Sequence, residues 1–249
     1  MIKKITSTAN EIVKTVKAYK EGKSDYVILD GIKLITDAIN NGLVLSQLFI
    51  ESSKVAKYQY LIKPTIDCFE ASENVLNVLA SSKTPQGVVG VAEFKDKDIQ
   101  KPNGNFLILD GIQDPGNLET IIRSALGANF LDIYCIDCVN YKLDKVIRSS
   151  MASLFSVNIY KTTSKDMISL IKTWKTPLYC ANMAGENLFK FEPAPKFGLV
   201  IGSEGQGVSK ELESACDKTL AIPMNKKLES LNAGVSASII MYNLTNKGV

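Results

Sequence analysis

Arg123 is the residue of this 249-residue chain that first invites a chemical reading, because of 29 basic side chains only Arg123 and Arg148 are arginines. A planar guanidinium that grips an anion through two parallel hydrogen bonds is not replaced by lysine without loss. An arginine kept against such a lysine bias therefore draws attention to its surroundings. These are Leu109-Asp-Gly-Ile-Gln-Asp-Pro-Gly-Asn-Leu-Glu-Thr-Ile-Ile-Arg-Ser-Ala125. Asp114-Pro115-Gly116 is a turn by chemistry, Asn117 stands where it would cap the helix that follows, and Arg123 lies six residues beyond it. A second loop, Gly198-Leu-Val-Ile-Gly-Ser-Glu-Gly-Gln-Gly-Val-Ser209, runs from an apolar strand into Gly202, Gly205 and Gly207. These glycines let backbone N–H groups approach a ligand closely. The loop is neither a dinucleotide fingerprint nor a P-loop, and Glu204 within it favours a neutral or cationic ligand group over a phosphate. A third stretch, Ile222-Pro-Met-Asn-Lys-Lys-Leu-Glu-Ser-Leu-Asn-Ala-Gly-Val-Ser-Ala-Ser-Ile-Ile-Met241, opens a helix with small residues. Ser230 and Asn232 sit at its start, where they cap the helix or present polar groups to a ligand.

Absences narrow the chemistry. There is no histidine, which removes every mechanism that needs an imidazole base, relay or metal ligand. The five cysteines (Cys68, Cys135, Cys138, Cys180, Cys216) are odd in number and scattered, unlike a disulfide framework. Cys135-Ile-Asp-Cys138 is a lone CxxC in a run that reads as a buried strand and its exit, hence core rather than a metal or redox site. Hydrophobic residues make up 45% of the chain, with mean hydropathy +0.05 and net charge +3, so a folded core is expected. No apolar stretch approaches a membrane span and the start lacks a secretory core, so a cytoplasmic protein without a membrane partner is expected.

The elements that must position these loops follow from periodicity. Strands are expected at Tyr26–Leu29, Gln47–Ile50, Thr65–Phe69 and Gly87–Val91, and helices over Ala9–Lys23 and from Ile32 to Asn40. Residues 1–23 hold six lysines against two glutamates, which is either a solvated face or a phosphate-contacting one. Residues 95–105 are charged and turn-prone, with a linker at 97–104. Beyond it, strands at Phe106–Asp110, Leu131–Ile136, Val157–Tyr160, Leu178–Ala181, Phe197–Ile201 and Leu220–Ile222 are expected. They alternate with helices at Leu118–Gly127, Asp144–Leu154 and Leu231–Asn246, the pattern of a mainly parallel α/β sheet.

In this order and spacing, the three stretches resemble the SpoU (TrmH-type) family of RNA ribose 2′-O-methyltransferases. Asp-Pro-Gly-Asn-Leu-x-Thr-Ile-x-Arg resembles its first motif, Gly-Ser-Glu-Gly-Gln-Gly its second, and Ile-Pro-Met…Glu-Ser-Leu-Asn its third. Residues 1–96 look like the α/β, ribosomal-protein-like, RNA substrate-binding domain that precedes the methyltransferase domain in rRNA-modifying members. The resemblance implies a trefoil-knotted domain over 105–249, a homodimer with active sites at its interface, S-adenosylmethionine as methyl donor, and no metal. It implies rRNA, 23S rRNA in particular, as substrate, with DNA not expected as a partner. By motif, Asn117, Arg123, Glu204, Ser230 and Asn232 are the implied catalytic residues, and Gly202, Ile222, Met224 and Leu231 would hold the donor. The family proposal makes the motif-one arginine the base. A guanidinium rarely gives up a proton, and Arg123 gripping the adjacent phosphate while the proton leaves to phosphate or water is physically easier. Glu119 and Lys226 stand where many members have glycine, and Asn232-Ala-Gly-Val replaces the commoner Asn-Val-Ser-Val. Two other readings stand beside the main one: a tRNA ribose methyltransferase, or a catalytically silent RNA-binding assembly factor.

Overall fold

Several strands of this protein are covered on both faces. Val27, Ile28 and Leu29 are buried in one sheet, and Leu107, Ile108 and Leu109 in another. The computed structural model describes residues 2–82, 84–225 and 227–245. Lys226 and the expected helix end at Asn246 lie outside the described residues. The chain divides into two compact units, Met1–Lys95 with Asn140–Phe155, and Asp96–Val139 with Ser156–Val249. The sequence predicts a second domain unbroken from residue 105, whereas residues 140–155 pack with the first unit. Polar interactions that leave no periodic signature hold them there. The Lys142 ammonium, on a side chain only 3% exposed, meets Asp25 at 2.9 Å, and Asn140 Nδ2 donates to the Gly22 carbonyl at 2.7 Å.

The first unit contains β1 (Lys3–Ile5), α1 (Glu11–Ala18), β2 (Tyr26–Asp30), α2 (Ile32–Asn40), β3 (Leu45–Glu51), β4 (Asp67–Ala71), α3 (Glu73–Leu79) and β5 (Val88–Glu93). Its five-stranded sheet has the order β1-β4-β3-β5-β2. β4 is parallel to both neighbours, and β5 is antiparallel to β3 and β2. The helix expected over Ala9–Lys23 is shorter. Asn10 caps α1 by accepting the Ile12 N–H, and a 3-10 turn at Tyr19–Glu21 ends at Gly22 with φ +69°. Val13 and Val16 of α1 are fully buried. β1 is too short, and α3 too weakly patterned, to be legible in the sequence.

The six N-terminal lysines are mostly committed. Lys4 pairs with Glu70 at 3.4 Å, Lys14 with Glu11 at 2.7 Å and Lys23 with Glu21 at 2.9 Å. Lys20 donates to the carbonyls of Val78 and Ala80 at 3.1 and 2.7 Å, and burial lowers its pKa. Among the described residues, Lys3 and Lys17 have no such partner.

The second unit begins with β6 (Phe106–Asp110), α4 (Pro115–Gly127) and β7 (Asp132–Ile136). The chain then supplies α5 (Asp144–Ser149) and a 3-10 turn at Ser153–Ser156, where one longer helix is expected from the sequence. It continues through β8 (Asn158–Thr162), α6 (Ser164–Trp174), β9 (Leu178–Asn187), β10 (Gly198–Gly202), α7 (Lys210–Glu213), β11 (Lys218–Ala221) and α8 (Ala233–Thr245). The six strands, ordered β11-β9-β10-β6-β7-β8, are parallel throughout. Phe106, Tyr134 and Trp174 form an aromatic core on one face, with ring centroids 5.3–5.7 Å apart. From β6 the chain moves outward through β7 and β8, then returns to place β10 on the other side of β6. The strand order thus reverses between β6 and β10, where open parallel sheets bind ligands at the strands' carboxyl ends. Among the described residues no helix is long and apolar enough to cross a membrane.

Candidate active site

At those carboxyl ends the three singled-out stretches meet. Asp114, not Asn117, caps α4: its Oδ1 accepts the Asn117 N–H at 2.9 Å, with Pro115 in the first turn. Asn117 therefore sits inside the helix, 8% exposed, with its side chain free to reach across the sheet. Its Nδ2 donates to Glu204 Oε1 at 3.0 Å. The same oxygen accepts Asn232 Nδ2 at 2.6 Å and the Ala233 N–H at 3.1 Å. Asn232 Nδ2 also approaches Asn117 Oδ1 at 2.7 Å, and Asn232 Oδ1 caps α8 through the Val235 N–H at 3.2 Å. One carboxylate oxygen thus ties three loops together, and it does so at a helix N-terminus, where negative charge is favoured. Close packing of α8 on α4 holds the arrangement: Ser124 and Ser238 hydroxyls lie 2.6 Å apart, and a Cβ on Gly234 would meet Thr120 at 3.1 Å.

Beside this junction opens a cleft of about 450 Å³, within the range of small-molecule sites. Gly202, Glu204, Ile222, Met224, Ser230 and Leu231 all line it. The Gly202 backbone runs hard against the returning loop. A Cβ there would lie 2.0 Å from the Gly207 carbonyl carbon and 2.2 Å from the Val208 nitrogen. Gly207, at φ +69°, turns the loop, its N–H donating to the Ser203 carbonyl at 2.9 Å. The Ser209 N–H fastens the far end to Asp110 Oδ2 at 2.7 Å. Sequence reasoning missed Asn182, Met183 and Glu213, which also line the cleft; the Asn182 amide donates to the Glu213 carboxylate. Nothing local marks them, since β9 and α7 come together only through the sheet.

Arg123 stands apart from the cleft lining. Its side chain is 49% exposed on α4, with Nη1 3.8 Å from Glu119 Oε2. Ser230 lines the cleft but joins neither the junction nor the cap. Cys135 is buried in β7, and its hydrogen bond with Cys138, then desolvation, push its thiol well above the ordinary range. The hydrogen bond with the Cys180 thiol, then burial, raises Cys216 likewise. Among the described residues, no group of three or more metal-ligating side chains is placed to hold a metal.

The chain is similar to known proteins. The model of the SpoU rRNA Methylase family matches residues 104–242, and that of the MRM3-like substrate binding domain residues 10–90. The chain is 26% identical to the 23S rRNA (guanosine(2553)-2′-O)-methyltransferase RlmP of Bacillus subtilis, covering 98% of this chain and 99% of that one. It is 27% identical to the 23S rRNA (uridine(2479)-2′-O)-methyltransferase of Streptomyces viridochromogenes, over 92% and 86% of the two chains. The AdoMet-bound rRNA methyltransferase of Sinorhizobium meliloti shares its fold, with a TM-score of 0.89 at 24% identity over 100% and 99% of the two chains.

Proposed function

The chain belongs to the SpoU rRNA Methylase family, and from that premise we propose that it transfers a methyl group from S-adenosylmethionine to a ribose 2′-hydroxyl of 23S rRNA. The observation that carries this reading is the junction of Asn117, Glu204 and Asn232 at the edge of the cleft, which joins all three motif stretches. The cleft fits the donor chemically as well as in size. Ile222, Leu231 and Ile240 give it apolar walls, and Glu204 and Glu213 give it acidic groups suited to a cationic ligand. When bound, the donor supplies an electrophilic methyl on positively charged sulfur, which the 2′-hydroxyl displaces in line.

This chain's residues supply position and field. Backbone around Gly202, Ile222, Met224 and Leu231 would hold the donor, and Glu204 keeps the three loops in register. Acceleration then comes from holding two reactants in a near-attack arrangement. Arg123 grips the phosphate beside the target ribose, and the proton leaves to phosphate or water. Substituting Arg123→Lys keeps the charge but removes the fork; turnover measured with saturating donor should fall by about tenfold or more. Near-wild-type turnover would remove any need for bidentate geometry.

The trefoil knot, the homodimer and cytoplasmic action belong to the same reading. β10 inserted out of chain order between β9 and β6 supports a threaded C-terminal segment. Exposed Val235 and Tyr242, seven residues apart on α8, and Arg123 outside the lining of its own cleft, support assembly of sites between two copies. The first unit would bind RNA. Deleting residues 1–23 would strip Val13 and Val16 from the core, so charge reversal at Lys3 and Lys17 is the cleaner probe. It should flatten the salt dependence of RNA binding by about 0.7 for each phosphate no longer neutralised; an unchanged slope would move the RNA-binding surface elsewhere.

The direct test is transfer of labelled methyl to total rRNA and, separately, total tRNA from a strain lacking the gene, with mass spectrometry to locate the label. Ribose label in rRNA is the expected result. Label in tRNA alone would overturn the substrate, and absence of both label and donor binding would leave a silent RNA binder.

A further inference from the structure

The Glu119 side chain is not satisfied. Only 17% of it is exposed, and Oε2 is buried without a hydrogen-bond partner among the described residues. Its ion-pair partner is Arg123 Nη1, one helical turn on and 3.8 Å away, too far for a hydrogen bond. An ordinary pair at this spacing has both ends in solvent and needs no functional explanation. Here the carboxylate is mostly buried while the guanidinium is half exposed. A buried charged oxygen with one loose counter-ion and no donor among the described residues is costly, so it holds Arg123 near Glu119 while the half-exposed guanidinium stays accessible to solvent.

We infer that Glu119 is an internal counter-ion for Arg123, standing in for the substrate's phosphate in the RNA-free protein and giving up the guanidinium when an RNA phosphate displaces it. This rests on the reading that Arg123 grips a phosphate. Uncovering Glu119 costs every RNA the same amount, so the pair lowers affinity for RNA in general and leaves the ratio between two RNAs unchanged. Glu119 is therefore a positioning residue, holding the Arg123 guanidinium until a phosphate takes its place, rather than a catalytic one.

The test uses the full chain with Glu119→Gln, which keeps shape and removes charge, and Glu119→Gly as a second variant. Affinity for unmodified 23S rRNA and for a mixed-sequence single-stranded oligonucleotide is measured across a salt series. Removing the competing charge should tighten binding of both about two- to fivefold at moderate salt, as expected for a partly exposed pair. The slope of log affinity against log salt should steepen by about 0.7, one further counterion released. The melting temperature of Glu119→Gln should hold or rise, because a buried unsatisfied charge has gone; a merely structural glutamate would lower it and leave the slope unchanged. On an Arg123→Gln background, Glu119→Gln should change neither affinity nor slope. An unchanged slope, or equal shifts on both backgrounds, would overturn the counter-ion while leaving Arg123 its role. If Arg123→Gln alone changed neither RNA affinity nor methyl transfer, the phosphate grip itself would fall, and the counter-ion with it.

Discussion

Replacing Glu204 by alanine should lower methyl transfer about a hundredfold or more and destabilise the second unit by about 2–3 kcal/mol. The oxygen removed accepts from Asn117, Asn232 and the Ala233 N–H. Hydrogen bonds to a charged group are worth about 1.5–3 kcal/mol each when buried. Glu204 is exposed at the cleft edge, so their sum is discounted to the range given. The catalytic loss is larger than the stability loss because three loops lose their common register, and a displacement of about 1 Å at a reacting centre costs about a hundredfold. Glu204→Gln should fall between: it keeps an acceptor for the Ala233 N–H but loses the charge. Denaturant unfolding and single-turnover transfer, measured on the same preparations, check both halves. Full activity in the alanine variant would mean that the junction is packing and nothing more.

Gly202→Ala is expected to raise the donor's dissociation constant about a hundredfold while leaving the parallel sheet folded. The added methyl would sit 2.0 Å from the Gly207 carbonyl carbon and 2.1 Å from its oxygen. These atoms are backbone, so no rotamer change relieves the overlap, and the loop from Ser203 to Val208 must move away from β10. Overpacking of this kind costs about 1–3 kcal/mol, or a few degrees of melting temperature per kcal/mol in a chain of this size. Calorimetric titration with S-adenosylmethionine reads the first effect, and thermal melting reads the second. Donor affinity equal to wild type would place the donor elsewhere than this loop.

What is legible in the sequence is whatever local chemistry decides. β6 is legible at its observed bounds because a short apolar run ending in Asp-Gly has one reading, and α2 because Asn40-Asn41-Gly42 ends it so clearly. Glu204, Asn117 and Asn232 are legible as residues but not as partners, since their hydrogen bonds join positions 87 and 115 apart. The sequence points to Asn117 as the cap of α4 because Asn favours that place. The structure gives the cap to Asp114, three residues earlier, which frees the Asn117 amide for Glu204. Asn182 and Glu213 carry no signal, because a strand end and a four-residue helix become neighbours only through the sheet. The basic N-terminus is legible as charge, but not as charge already bound to Glu11, Glu21 and Glu70.

The interruption of the second unit by residues 140–155 has a consequence for biosynthesis. A chain emerging from its N-terminus first exposes the first unit without Val146, Ile147, Leu154 and Phe155, all of which are buried in the finished protein. That unit cannot close until β6, α4 and β7 have also been made, although these belong to its neighbour. The two units therefore do not mature one after the other as beads on a string. A fragment ending near residue 96 presents an unfilled apolar surface, and one beginning there carries a stray apolar segment, so each would tend to aggregate. Gene fusions or fission that respect the two units must cut the chain at three places rather than at one linker.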